Sequence, residues 1–130
     1  MAPDILIVDD SAAIRKILQR VLRQTGVPIG NIVEAGDGME ALDVLRKQKV
    51  DLVLTDINMP KMDGLQLLAA LKVAPEWMTM PVVLITTEGG ELKVGEAVRL
   101  GAAAYIRKPF TAEQIKEKLA GLLESAKVAI

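Results

Sequence analysis

Apolar residues along the chain fall into two alternating patterns: short unbroken runs, and longer stretches where they recur every third or fourth position. Ile5–Val8 is a solid apolar run ending at Asp9 and Asp10, the pattern of a strand covered on both faces. Ile14, Ile17, Leu18, Val21 and Leu22 follow at helical spacing, with Arg15, Lys16, Gln19, Arg20 and Arg23 opposite them. This reads as an amphipathic helix stopped by Gly26 and Pro28. Asn31–Ala35 is a weaker strand, Gly36-Asp37-Gly38 a break, and Met39–Lys47 a second helix with Met39, Leu42 and Leu45 on its inner face.

The second half keeps the rhythm. Leu52–Leu54 leads into Thr55 and Asp56, and a loop with Pro60 and Gly64 follows. Asp63 is placed to cap a helix through Leu65, Leu68 and Leu71. The stretch from Pro75 to Pro81 is a loop carrying Trp77, and Val82–Ile85 is the most hydrophobic strand, ending at Thr86 and Thr87. Glu91–Leu100 reads as a helix closed by Gly101 at the position where a left-handed conformation is needed. Ala103–Arg107 is a fifth strand ending at Lys108-Pro109, and Thr111 caps a last helix with Ile115, Leu119, Leu122, Leu123 and Ala126 on one side. Strict alternation of strands and helices predicts right-handed crossovers and one parallel sheet with helices on both faces, an α/β three-layer sandwich.

Composition narrows the chemistry. The chain has 130 residues, with 16 Lys and Arg against 17 Asp and Glu, a length that suits one domain over residues 1–130 with no room for an output domain. It contains neither Cys nor His. Disulfides, thiolate nucleophiles, Cys/His zinc sites and histidine-dependent triads are therefore excluded, and a bound metal must be a hard ion on oxygen: Mg²⁺, Mn²⁺ or Ca²⁺. The near-neutral charge, with Trp77, Tyr105 and Phe110 as the only aromatic residues, argues against nucleic acid as a partner. The longest apolar runs, Leu67–Leu71 and Ala102–Ile106, are too short to insert across a membrane, and Met1-Ala2-Pro3-Asp4 lacks a basic leader. A cytoplasmic location is expected.

In a parallel sheet all strands end on one rim, and ligands bind outside it. The strand exits carry Asp9-Asp10, Glu34, Asp56, Thr86-Thr87 and Lys108. Singly, such an aspartate is an N-cap or loop residue, such threonines cap helices, and such a lysine is a solvated charge. Jointly, three carboxylates repel one another unless a cation compensates. A divalent metal, a lysine and a hydroxyl on one rim suit phosphoryl transfer, with one carboxylate as a possible nucleophile.

Four motifs then mark a family: Ile7-Val8-Asp9-Asp10-Ser11, the run from Thr55-Asp56-Ile57-Asn58-Met59-Pro60 through Asp63-Gly64, Ile85-Thr86-Thr87-Glu88, and Gly101-Ala102 through Tyr105-Ile106-Arg107-Lys108-Pro109-Phe110. In this order they resemble the receiver domain of two-component response regulators, chemotaxis type, over nearly the whole chain. The resemblance implies a flavodoxin-like fold with strand order 2-1-3-4-5, for which a chemotaxis regulator is itself a standard example. It also implies that Asp56 is the phosphoacceptor, taking its group from a phosphohistidine on a sensor histidine kinase. Asp9, Asp10, Asp56 and the backbone carbonyl of Asn58 would hold Mg²⁺, and Lys108, preceding a cis peptide to Pro109, would pair with the phosphoryl oxygens. Thr86 would move toward the phosphoryl group and Tyr105 turn inward, reshaping the face of the fourth helix, fifth strand and fifth helix for a downstream target.

Asn58 and Glu88 match the chemotaxis type at the positions that tune phosphoryl lifetime, and imply a short-lived state. Ile57 replaces the Trp that follows the acceptor in the chemotaxis protein, and Gly89-Gly90-Glu91 replaces its basic loop. The resemblance implies a stoichiometric switch rather than an enzyme, acting as a monomer or weak dimer. Alternatives are a phosphorelay intermediate, a receiver cut from a multidomain regulator, a phosphorylation-independent scaffold, and a Mg²⁺-dependent aspartyl phosphatase. The phosphatase is disfavoured because its acid pair is spaced Asp-x-Asp, whereas Asp9 and Asp10 are adjacent.

Overall fold

The elements alternate along the chain as β1 (Ile5–Val8), α1 (Ala12–Gln24), β2 (Ile32–Ala35), α2 (Gly38–Lys47), β3 (Leu52–Thr55), α3 (Gly64–Lys72), β4 (Val82–Thr86), α4 (Glu91–Leu100), β5 (Ala104–Arg107) and α5 (Ala112–Val128). The computed structural model describes residues 2–87 and 91–128, with backbone alone at 91–92 and 123–128. All strands are parallel, in the order β2-β1-β3-β4-β5, as the sequence pattern and the family resemblance led us to expect.

The unbroken apolar runs have a direct physical cause. Successive residues of a strand point to opposite faces, and here both faces are covered. Ile5, Ile7, Leu52, Leu54, Val83, Ile85 and Ile106 pack with Leu18 and Leu22 of α1 and with Ile115 and Leu119 of α5. Leu6, Val8, Val53, Val82 and Leu84 pack with Leu42 and Leu45 of α2, Leu65, Leu68 and Leu71 of α3, and Ala97 of α4. Each such side chain, removed from water, contributes about 1.5–3 kcal/mol.

Local signals set where the helices begin and end. Ser11 and Asp37 cap α1 and α2 by accepting from Ile14 N and Glu40 N. Asp63 and Gln66 form a reciprocal capping box at the start of α3, and Thr111 and Gln114 do the same before α5. Gly101 closes α4 with φ of +95°.

Two inward assignments are corrected. Met39 is 50% exposed and Ile17 is 46% exposed. In α2 the buried stripe is Gly38, Ala41, Leu42 and Leu45; its phase is set by two small residues, and Gly38 lies directly against the Met62 side chain. In α1 the inner face follows Leu18 and Leu22, with Ile14 and Val21 partly buried, and leaves Ile17 on the flank.

Candidate functional site

The register brings the strand exits together. Val8 of β1 pairs with Thr55 of β3, so the next residues, Asp9 and Asp56, leave the sheet side by side. Their backbones continue the ladder for one more step: Asp56 N donates to Val8 O at 3.0 Å and Asp9 N to Ala35 O at 3.1 Å. On the far side Lys108 follows β5, its N–H donating to Thr86 O at 2.9 Å, with a cis peptide to Pro109.

The side chains form a compact charge arrangement. Asp9 Oδ1 accepts from Ser11 N at 2.9 Å, and Asp56 Oδ1 accepts from Ile57 N at 2.7 Å. The second oxygen of each faces one ammonium: Lys108 Nζ lies 3.3 Å from Asp9 Oδ2 and 3.3 Å from Asp56 Oδ2. Asp10 is exposed and completes a trio whose carboxylate oxygens lie within 4.8 Å of one another. Asp9 is buried, and burial pushes its carboxyl above the usual value. The Asp56 charge adds to this, while the Ser11 N–H and Lys108 oppose it.

The loop after β3 presents Asp56. Ile57 is buried in the α2–α3 side of the core, and Gly64 N donates to its carbonyl at 2.8 Å. A Cβ on Gly64 would run into the Asp56 carbonyl, so the close approach of α3 to the acceptor loop requires glycine. Lys61 takes a left-handed turn at φ of +66°, and Met62 O accepts from Gly38 N at 3.2 Å, tying the loop to α2.

The other candidate residues lie as follows. Thr86 ends β4 and is fully buried. Tyr105, in register with Leu84, is half-buried against the α2–α3–α4 side of the core, and Asn58 is exposed in the loop after Asp56. Glu88, Gly89 and Gly90 lie outside the described residues. Glu34, at the β2 exit, stands apart from the acid trio and pairs with Arg15 at 2.9 Å. Sequence reasoning missed Ser11 and Arg15. Ser11 is legible as a helix cap, whereas Arg15 has the spacing of one more charge on the outer face of α1.

The donor set fits a hard divalent ion: three carboxylates converge, and the chain offers no softer His or Cys ligand. Fold and rim together define a class, the doubly wound flavodoxin-like domains with an acidic pocket at the strand exits. The family model for the response regulator receiver domain matches residues 5–120. A chemotaxis protein CheY homolog from Campylobacter jejuni is 40% identical over 120 residues, covering 92% of this chain and 91% of its own. Chemotaxis protein CheY-3 of Vibrio cholerae is 43% identical over 120 residues, with the same coverage of both chains. Among solved structures, the chemotaxis response regulator CheY4 of Vibrio cholerae superposes with a TM-score of 0.82 at 30% identity, covering 94% of this chain and 99% of that one. The chain belongs to the response regulator receiver domain family. Among the described residues, no helix is long and apolar enough to cross a membrane.

Proposed function

We propose that the protein is a phosphorylation-controlled switch of the chemotaxis type, accepting a phosphoryl group on Asp56 from a phosphohistidine of a sensor histidine kinase. The observation that carries this reading is the single ammonium of Lys108 held 3.3 Å from both Asp9 and Asp56 beside an exposed third acid. An Asp56 carboxylate oxygen forms the new O–P bond as the donor's P–N bond breaks, and the departing imidazole nitrogen keeps the bonding pair and takes a proton from solvent. Asp56 Oδ1 is fixed by Ile57 N, which leaves Oδ2, on the Lys108 side, as the attacking atom. Lys108 then pairs with phosphoryl oxygens in place of the carboxylate.

Asp9, Asp10, Asp56 and the Asn58 carbonyl would hold Mg²⁺, which supplies positive charge against the phosphoryl oxygens. The absence of His from these 130 residues means that the phosphoryl group must arrive from elsewhere. The phosphoryl group acts on an existing equilibrium between two states; Thr86, buried at the end of β4, and Tyr105, one strand over, are the switch residues. The output face is α4–β5–α5. β5 is the edge strand, flanked by α4 on one sheet face and α5 on the other, so a change there reaches the surface directly. Asn58 and Glu88 would tune hydrolysis to a short lifetime. The protein is then a stoichiometric acceptor, not an enzyme, acting in the cytoplasm as one domain, a monomer or weak dimer.

The test is incubation with acetyl phosphate and Mg²⁺, followed by intact-mass measurement. One phosphate adduct on wild type and none on Asp56→Asn is expected; an adduct on both would remove Asp56 from its role.

A further inference from the structure

Of the charged groups at the rim, the Arg15–Glu34 pair is unused by the chemistry above, although it touches the acid loop. Arg15 lies on the first turns of α1, and its side chain is only 19% exposed. Its Nη1 donates to the carbonyl of Asp9 at 2.6 Å, and its Nε donates to Glu34 Oε1 at 2.9 Å. The Asp9 carbonyl lies beyond the last paired residue of β1, Val8, so the ladder does not hold it. The Asp9 N–H is held from the same side, by Ala35 O of β2 at 3.1 Å. The residue that precedes the Asp9–Asp10 peptide is thus tied at both its N–H and its C=O to the end of β2, once directly and once through Arg15. Asp10 is exposed and hangs from that peptide.

We infer that Arg15, braced by Glu34, is a positioning residue that fixes the Asp9–Asp10 peptide and thereby sets the affinity of the rim for a hard divalent cation. This rests on the metal-binding reading given above. Two features suit the task. The planar guanidinium makes two divergent hydrogen bonds at once, which an ammonium cannot reproduce in the same geometry. The Glu34 carboxylate offsets the Arg15 charge, so the strut stiffens the loop without adding net repulsion toward a cation. Outer partners of metal ligands commonly control affinity in this way.

The measurement is calorimetric titration of the whole chain with Mg²⁺ alone, alongside melting without metal, for wild type, Arg15→Met, Arg15→Lys and Glu34→Gln. Arg15→Met is expected to weaken Mg²⁺ binding on the order of 10-fold, with Arg15→Lys recovering only part. Glu34→Gln, at a partly exposed site that tolerates change, is expected to weaken binding too, and less so in high salt, because it leaves the Arg15 charge unbalanced. If wild type binds Mg²⁺ and both Arg15→Met and Glu34→Gln bind it equally well, whatever their melting temperatures, the strut is structural only and the inference falls. If wild type itself binds no Mg²⁺, the metal-binding reading fails and takes this inference with it.

Discussion

Lys108 follows the edge strand β5, yet its ammonium sits 3.3 Å from Asp56 Oδ2, which emerges two strands away. Strands are spaced about 4.8 Å apart, so roughly 10 Å of rim separates the two exits, and the lysine stem and the Asp56 side chain close that gap from opposite sides across the exit of β4. Replacing Lys108 by Met keeps the stem and removes the charge. At neutral pH this leaves Asp9, which is buried, and Asp56 facing each other without compensation. The expected loss is about 1–3 kcal/mol in urea unfolding, the cost of stranding a charged hydrogen-bonding group. An unchanged midpoint would show the ammonium to be dispensable to the apo fold.

The acid side of that pair has its own pH signature. Asp9 has its folded-state pKa raised above 3.8, first by burial. The folded protein therefore holds this proton more tightly than the unfolded chain. The stabilisation this gives is complete below the unfolded value of 3.8 and is lost as pH rises through the folded one. At neutral pH the ionised Asp9 is a net liability. Asp9→Asn should melt higher than wild type at neutral pH without metal, with the gap closing in acid. Added Mg²⁺ should reverse the order, since a ligand at 100 times its Kd adds about 2.7 kcal/mol to the form that binds it. Melting curves of both proteins across pH, with and without Mg²⁺, decide this; an Asp9→Asn protein less stable at neutral pH without metal contradicts it.

Two neighbours at the start of α3 separate fold from chemistry. Asp63→Ala removes a capping box made between Asp63 and Gln66 alone, and should cost about 1 kcal/mol while leaving phosphoryl uptake intact. Gly64→Ala drives a Cβ into the Asp56 carbonyl. Because that wall is backbone, the cost should reach about 3 kcal/mol, and uptake of phosphoryl from acetyl phosphate should slow as Asp56 shifts. Equal uptake by both variants would separate the acceptor's position from the approach of α3.

Trp77 reports on the opposite end of the sheet. It lines a cavity of about 640 Å³ with Lys47, Lys49, Asp51 and Pro81, at the starts of β3 and β4. The five residues of β4 put roughly 17 Å between that end and the rim. Titration with Mg²⁺ should leave its fluorescence nearly unchanged, and strong saturable quenching would be incompatible with this placement.

Much of this arrangement is legible in the residues. Ile5–Val8 and Val82–Ile85 are solid apolar runs because their alternate residues serve two different cores, and together with the strict alternation of strands and helices they announce a parallel sheet covered on both sides. Once the strands are parallel, Asp9, Asp56 and Lys108 share a rim whatever their separation in sequence. Met39 and Ile17 escaped because helical spacing gives a period without its phase; in α2 the phase is set by Gly38 and Ala41, which carry little hydrophobic weight of their own. The Arg15–Glu34 pair escaped for another reason. The two residues meet only because β2 lies beside β1, and nothing local distinguishes a half-buried arginine from its neighbours on the polar side of α1.

The alternation of inward residues turns every strand into a ruler. In β1, Ile5 and Ile7 serve the α1–α5 core while Leu6 and Val8 serve the other, and Asp9 stands at the next tick. A single inserted residue would exchange the two loads and carry the acid past its partners. A change of length inside a strand is therefore expected to dismantle the site even where the sheet still forms.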